Sequence, residues 1–479
     1  MEVIFDALQG GIASLASYLA AHVLLCLVPA FFIAGGLSAL VPQQSIVRFL
    51  GPDAPRWVAY PAAAGAGSLL AVCSCTVQPL FAGIYRKGAG LGPAITFLFF
   101  APAGNILALS YTGVALGPEF AAARVFLSLC FGIGIGLIMA LLFRRDEAAR
   151  RADAAAFAGG ETINRSSIAF LAALVALLIA GTIKLDFLKA QVLAVDFAWP
   201  AAGALQAQLD RLMPVDTLKG AEGLSLQGAL LVALLGTIGA AAWRGLGKVD
   251  EGVNRATAVT LVLVAATLAF AALGVQATAA GLNVTLTGRS IAVVLLLGLL
   301  LPLAQRLDAW DVQQWLWETW RFVRMIFPLL VVGVFLVGVV RVFIQPEWIQ
   351  AVAGANTVLG NLAGVVFGVF MYFPTLVEVP VAKMFLSLGM HPGPLIAYLM
   401  ADPELSLQSI LITSAIIGKL KAWTYVGLVA LFATASGLGY GAWVDGASAS
   451  AIFGAIAGLT VLLAALVHLA SRLHAPTQA

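Results

Sequence analysis

Two thiols one residue apart, Cys73 and Cys75 in AVCSCTVQPLFAGIYRKG (residues 71–88), are the most chemically distinctive group in the chain. In extended backbone, side chains two apart share a face. Paired thiolates there would select soft, thiophilic species such as trivalent arsenic, antimony or Cu(I). Ser74 lies between the thiols, and Gln78 and Asn105 supply amides nearby in the sequence, so Cys73, Ser74, Cys75, Gln78 and Asn105 form the candidate substrate site, with Cys73 and Cys75 as candidate metal or metalloid ligands. Spacing alone leaves two other readings open. Cysteine is often a small buried hydrophobe, or the pair could be redox-active, although so short a loop would strain a disulfide. The remaining cysteines, Cys26 and Cys130, lie in separate apolar stretches and read as core.

A second set is ionisable. Glu378, Lys383, Asp402 and Glu404 interrupt apolar sequence, where each charge costs about 2.5 to 3.5 kcal/mol on insertion scales and so points to function. Coupling or gating is the role such groups would serve. The competing reading is structural: a Glu378 to Lys383 ion pair holding helices together, with Asp402 capping a half-helix near Pro403.

The elements that must position these residues are membrane helices. The chain has 479 residues, 61% hydrophobic and 10% charged, with a mean hydropathy of +1.00. Such a composition cannot be hidden in a water-soluble core, so we expect an all-α polytopic membrane protein with about 13 transmembrane helices. A net charge of +3 and the lack of a basic, aromatic-rich run argue against a nucleic-acid partner.

Two stretches are too long for one straight crossing and contain breakers. Residues 57–88 break near the CSC group, and residues 92–117 break at 101–104. Shifting the sequence by 301 residues repeats the pattern. Pro79, Gly88, Gly92, Pro93 and Pro102 then meet Pro380, Gly389, Gly393, Pro394 and Pro403, with further breaks at Pro374 and at 401–403. We therefore expect two internal repeats, each with two broken helices shaped by Pro79, Pro102, Pro374 and Pro403. Irregular backbone at membrane depth is tolerated where it lines a cavity, and paired interruptions in two halves are the mark of a transporter site. The thiols have no counterpart in the second half, and Glu378, Lys383, Asp402 and Glu404 fall opposite Val77, Ala82, Ala101 and Ala103. One half could hold a soft substrate while the other carries a coupling proton.

Residues 1–183 read as the first repeat and 325–479 as the second. Residues 184–324 read as an inserted segment with a partly helical outer loop, about three helices, and an interfacial helix over 308–325 carrying four tryptophans. Arg144, Arg145, Arg150, Arg151 and Arg165 place their loop in the cytoplasm. No P-loop is present to power a pump, and no HExxH or paired aspartate motif suggests a protease.

The stretches VCSCTVQPLFAGIYRKGAGLGPAITFLFFAPAGN and MYFPTLVEVPVAKMFLSLGMHPGPLIAYLMADPELS resemble the predicted-permease family of ArsP organoarsenical exporters and YraQ-type permeases, over roughly 13–145 and 320–440. The resemblance implies a multi-pass permease of the cell inner membrane, not an enzyme, that exports a thiophilic metalloid compound such as a trivalent organoarsenical. It points to Cys73, Ser74 and Cys75, with Pro79 shaping the break. Transport of a small sulfur compound or organic anion, or a membrane thiol oxidoreductase using the CSC pair, are the alternatives. The expected partners are a small-molecule substrate and the lipid bilayer, with homo-oligomerisation left open and no cofactor.

Overall fold

In lipid a backbone must satisfy its own polar groups, and helices do so within one segment. The structure, a computed structural model, describes residues 2–41, 43–70, 74–148, 164–182, 186–213, 223–278, 281–343, 346–370 and 378–448, which are mostly helical. Helix α1 (Glu2–Tyr18) continues through a π-helical segment, Leu19–Leu27, into α2 (Val28–Leu40). Pro29 explains the widening: its ring would clash with the carbonyl four residues back in a regular helix.

Next come α3 (Gln43–Leu50), α4 (Arg56–Leu70), α5 (Ser74–Arg86), α6 (Leu91–Ala103), α7 (Ile106–Ala115) and α8 (Pro118–Leu142). Helix α9 (Arg165–Thr182) follows, and the inserted segment then holds α10 (Asp186–Lys189), β1 (Gln191–Ala198), α11 (Ala201–Leu212), α12 (Leu226–Gly245), α13 (Arg255–Ala272), β2 (Gly274–Thr278), β3 (Gly281–Thr287) and α14 (Gly288–Ala304). The chain continues with α15 (Ala309–Arg341), α16 (Pro346–Ala353), α17 (Val358–Phe370), α18 (Glu378–Ser387), α19 (Pro392–Ala401), α20 (Leu407–Ile417) and α21 (Lys419–Val444). Among the described residues six helices are long and apolar enough to cross a bilayer, and shorter apolar helices such as α6, α17, α19 and α20 accompany them. The thirteenth expected span, 449–471, lies outside the described residues.

The 301-residue offset holds element by element. It carries α4 onto α17, α5 onto α18, α6 onto α19, α7 onto α20 and α8 onto α21. Two close approaches recur at the same offset. A Cβ on Gly136 would lie 2.6 Å from Gly92 O, and one on Gly437 would lie 2.6 Å from Gly393 O. Only glycine lets these backbones meet. Gly117 and Gly418, which open α8 and α21, have φ of 111° and 90°, a left-handed turn that L side chains resist.

The chain divides into two compact units, each drawing on both halves of the repeat. The first comprises Met1–Ile46, Leu70–Lys87 and Gly159–Phe343, and the second Val47–Leu69, Gly88–Ala158 and Ile344–Ala479. In the first unit α2 packs on α15 and α5. Trp315 Nε1 donates to Phe32 O at 2.9 Å, and the Phe170 ring meets Trp315 edge-on at 4.7 Å.

One expectation for the inserted segment is extended and one is corrected. The outer stretch is not only helical: β1, β3 and β2 form an antiparallel sheet in that order, with Val195 and Val275 both opposite Val284. The β-branched residues in QVLAVDFA and GLNVTLT favour it, although their distance in sequence hides the pairing. The tryptophan-rich stretch is not a separate interfacial helix either. It is the first half of α15, whose 33 residues run unbroken, with Trp315 and Trp320 buried. No glycine or proline separates the two parts until Pro328, so nothing ends the helix there.

A buried ionic cluster at two helix breaks

The candidate site lies in the second unit, where α6 stops short of α7 and α19 stops short of α20. Helix α6 is 13 residues long, about 20 Å, and cannot cross about 30 Å of hydrocarbon alone. Its last turn contains Pro102, and Asn105 starts the next half-helix. Asn105 Oδ1 accepts from Ala108 N–H at 2.8 Å, while its Nδ2 donates to Pro102 O at 3.0 Å. The amide expected to face substrate is thus engaged by the backbone of the break. At the same offset, Ser406 caps α20, its Oγ accepting from Ser409 N–H at 3.3 Å and donating to Ser409 Oγ at 2.7 Å. Asp402 is not the cap of that half-helix: it is the C-cap residue of α19, its N–H donating to Tyr398 O at 2.8 Å. It is fully buried.

The carbonyls left at the C-terminal end of α6 form the negative pole of a helix dipole. Arg124 of α8 answers them. Its Nε donates to Ala103 O at 3.2 Å and its Nη1 to Thr112 Oγ1 at 3.1 Å, while Nη2 makes an ion pair with Glu378 Oε1. Both charged side chains are fully buried. Helix α8 is built for this: Arg124, Ser128, Gly132, Gly136 and Met139 form a buried stripe, while Val125, Phe126 and Leu129 are exposed. One face can meet lipid while the other carries the charge inward.

Glu378 therefore pairs with Arg124 and not with Lys383, which is exposed on α18. The i,i+5 spacing of Glu378 and Lys383 puts them on different faces of a helix. In the second repeat the residue equivalent to Arg124 is Tyr425, and Glu404 stands where the first repeat has Ala103. Tyr425 O–H donates to Glu404 Oε2 at 2.6 Å. The same pair of positions therefore makes contact in each repeat, once by a guanidinium on a carbonyl and once by a phenol on a carboxyl. Glu404 Oε1, Glu378 Oε2 and both amide atoms of Gln408 have no hydrogen-bond partner among the described residues, and all three residues are buried.

The structure thus brings Glu378 and Glu404 together with Arg124 and Tyr425, in the unit that also holds Asn105 and Asp402. Of the thiol group, Cys73 lies outside the described residues, and Ser74 and Cys75 open α5. Gln78 is buried on that helix, and Pro79 lies inside it and not at a break. Pro403 lies in the turn between α19 and α20, and Pro374 is outside the described residues. Cys26 is in the π-helical segment, its Sγ sharing a hydrogen bond with Thr76 Oγ1, while Cys130 is exposed and not core. At the N-terminal end of α6, Arg56, Tyr60, Arg144 and Glu147 line a cavity of about 480 Å³, and Glu147 Oε2 accepts from Leu91 N–H at 2.9 Å.

Arg124 and Tyr425 are what the sequence reading lacks. Arg124 carried a signal, since a lone arginine six residues inside a 25-residue apolar helix is costly unless it is paired. Tyr425 became visible only through the offset that aligns it with Arg124.

The sequence matches the predicted-permease family over residues 9–442. It is 30% identical over 437 residues to a UPF0718 protein of Methanocaldococcus jannaschii, covering 91% of this chain and 96% of that protein. No solved structure matches.

Proposed function

The chain belongs to the predicted-permease family, and from that premise we propose that it is a secondary permease of the cell inner membrane exporting a thiophilic metalloid compound such as a trivalent organoarsenical. The observation that carries the transport reading is the pair of helix breaks lined by buried charge. A protein that only spans the bilayer has no use for Arg124, Glu378 and Glu404 in its interior, where charge is expensive and its pairing demands exact geometry. Half-helices with capped ends at the same sequence offset, Asn105 and Ser406, are the means by which transporters present partial charges near the bilayer midplane.

The cargo assignment rests on Cys73 and Cys75 and on the resemblance to organoarsenical exporters. Two thiols at CxC spacing can replace the two hydroxyls of a trivalent organoarsenical, forming two As–S bonds and releasing two waters, a soft pairing favoured over hard oxygen ligands; hydrolysis reverses the exchange, as release demands. Energy comes from an ion gradient.

Expression of the chain in an arsenic-sensitive bacterial host tests this. Resistance to methylarsenite that Cys73→Ser/Cys75→Ser abolishes is the expected result. Unchanged sensitivity, with membrane expression confirmed, overturns the cargo. Transport of another organic anion that survives the double replacement assigns the cysteines a lining role.

A further inference from the structure

We infer that Glu404 is the proton-binding group of this permease, with Tyr425 positioning it, while the Arg124–Glu378 pair is a fixed charge anchor. The inference rests on the permease reading and names its coupling ion. The two carboxyls differ in their partners. Glu378 faces a guanidinium that compensates its charge directly. The hydrogen bond made by the Glu404 carboxyl comes from a neutral phenol. An ionised Glu404 would thus be a buried charge without a counter-ion bonded to it, which is costly, whereas its acid form is neutral.

The hydrogen-bond inventory agrees. Oε2 accepts from Tyr425, so the proton belongs on Oε1, an atom with no partner among the described residues. Gln408 lies four residues on, 1% exposed, its amide equally unpartnered among the described residues. Its carbonyl is an acceptor of the kind a protonated Oε1 requires. Among the described residues the titratable and charged groups around Glu404 are Tyr425 on α21, Glu378 on α18, Arg124 on α8, the buried Tyr398 on α19 and Asp402 in the same turn, while α17 and α20 carry none. The location suits a carrier too. Glu404 sits in the turn between two half-helices, where small rotations of either one change its access to water. A proton taken up from one side onto Glu404 is released as H⁺ to the other, leaving the carboxylate held by the Tyr425 hydroxyl.

Two measurements on the purified full-length protein test this. Infrared difference spectra between acid and alkaline pH, recorded without cargo, are expected to show a protonated-carboxyl band. Glu404→Gln should remove the band, Glu404→Asp should keep it at a shifted frequency, and Glu378→Gln should leave it in place. A Glu404→Gln spectrum that retains every carboxyl band of the parent, from protein that elutes as a single species on size exclusion, overturns the inference. Methylarsenite flux into proteoliposomes is the second readout. A pH gradient of one unit at constant sodium should accumulate it up to about tenfold for one-to-one exchange. Flux through the Glu404→Gln variant should not respond to the gradient, and Glu404→Asp should restore the response. Accumulation driven by sodium alone in the parent overturns the proton assignment. If the parent moves no methylarsenite under any gradient, the cargo reading fails, and the infrared band decides the proton site by itself.

Discussion

Replacing Arg124 by glutamine removes three interactions at once: the bond to Ala103 O, the bond to Thr112 and the ion pair with Glu378. The larger penalty falls on the residue left behind. Glu378 would remain fully buried with its ionic partner gone, and breaking a buried pair on one side costs about 3–5 kcal/mol. Glu378→Gln alone should cost a similar amount, because it strands the guanidinium. The double replacement puts two neutral amides face to face, so the sum of the single losses should not appear. We predict that Arg124→Gln/Glu378→Gln recovers about 2–3 kcal/mol relative to additivity, the signature of a coupled pair. At about 2 °C per kcal/mol for a chain of this size or larger, each single variant should melt roughly 6–10 °C lower. The assay is thermal unfolding of detergent-solubilised protein followed by fluorescence size exclusion. Single variants within about 1 °C of the parent, or a double variant showing simple additivity, would refute the claim that these two side chains are the principal charge partners of this region.

Other outcomes follow from the same geometry. Asn105→Ala should cost about 1 kcal/mol through loss of a helix cap, and Ser406→Ala about the same, so unequal losses by denaturant titration would show that the two breaks bear unequal strain. Gly136→Val and Gly437→Val should each cost more than about 1–3 kcal/mol, because the new Cβ would lie 2.6 Å from a facing carbonyl; wild-type expression of either variant would contradict the close crossing. Gly418→Ala should lose roughly 1–2 kcal/mol through its left-handed backbone, although no atom lies within 4 Å of the added methyl. A matching loss for Gly117→Ala would identify backbone strain as the shared cause.

The repeat was legible because shape is encoded by glycine and proline, whose backbone demands survive when neighbouring side chains change. Gly92 with Gly393 and Pro102 with Pro403 mark corresponding positions while most of the residues between them differ. Partners were less legible. Glu378 was recognisable as a costly buried charge, yet its counter-ion is Arg124, separated by 254 residues, and no local periodicity links positions so far apart. Lys383 was the nearest cation in sequence and the wrong one, since proximity along a helix does not put two side chains on one face. The sheet was hidden for a similar reason. Its outer strand and its hairpin are separated by three helices, and each strand alone is a short β-branched run that composition cannot tell from a membrane segment.

The cross-repeat pairing of Arg124 and Glu378 also bears on how the protein is made. Synthesis proceeds from the N-terminus, so the arginine enters the membrane 254 residues before its carboxylate exists, roughly 10–50 s at ordinary elongation rates. Through that interval the nascent chain carries a cation that costs about 2.5–3.5 kcal/mol at the bilayer centre. We predict that α8 stays near the interface or the insertion machinery until α18 emerges, and seats itself only then. Chains truncated before Glu378 should therefore insert α8 incompletely in protease-mapping experiments, and Arg124→Leu should correct the defect. Full insertion of the truncated parent would show that the arginine finds another partner on the way.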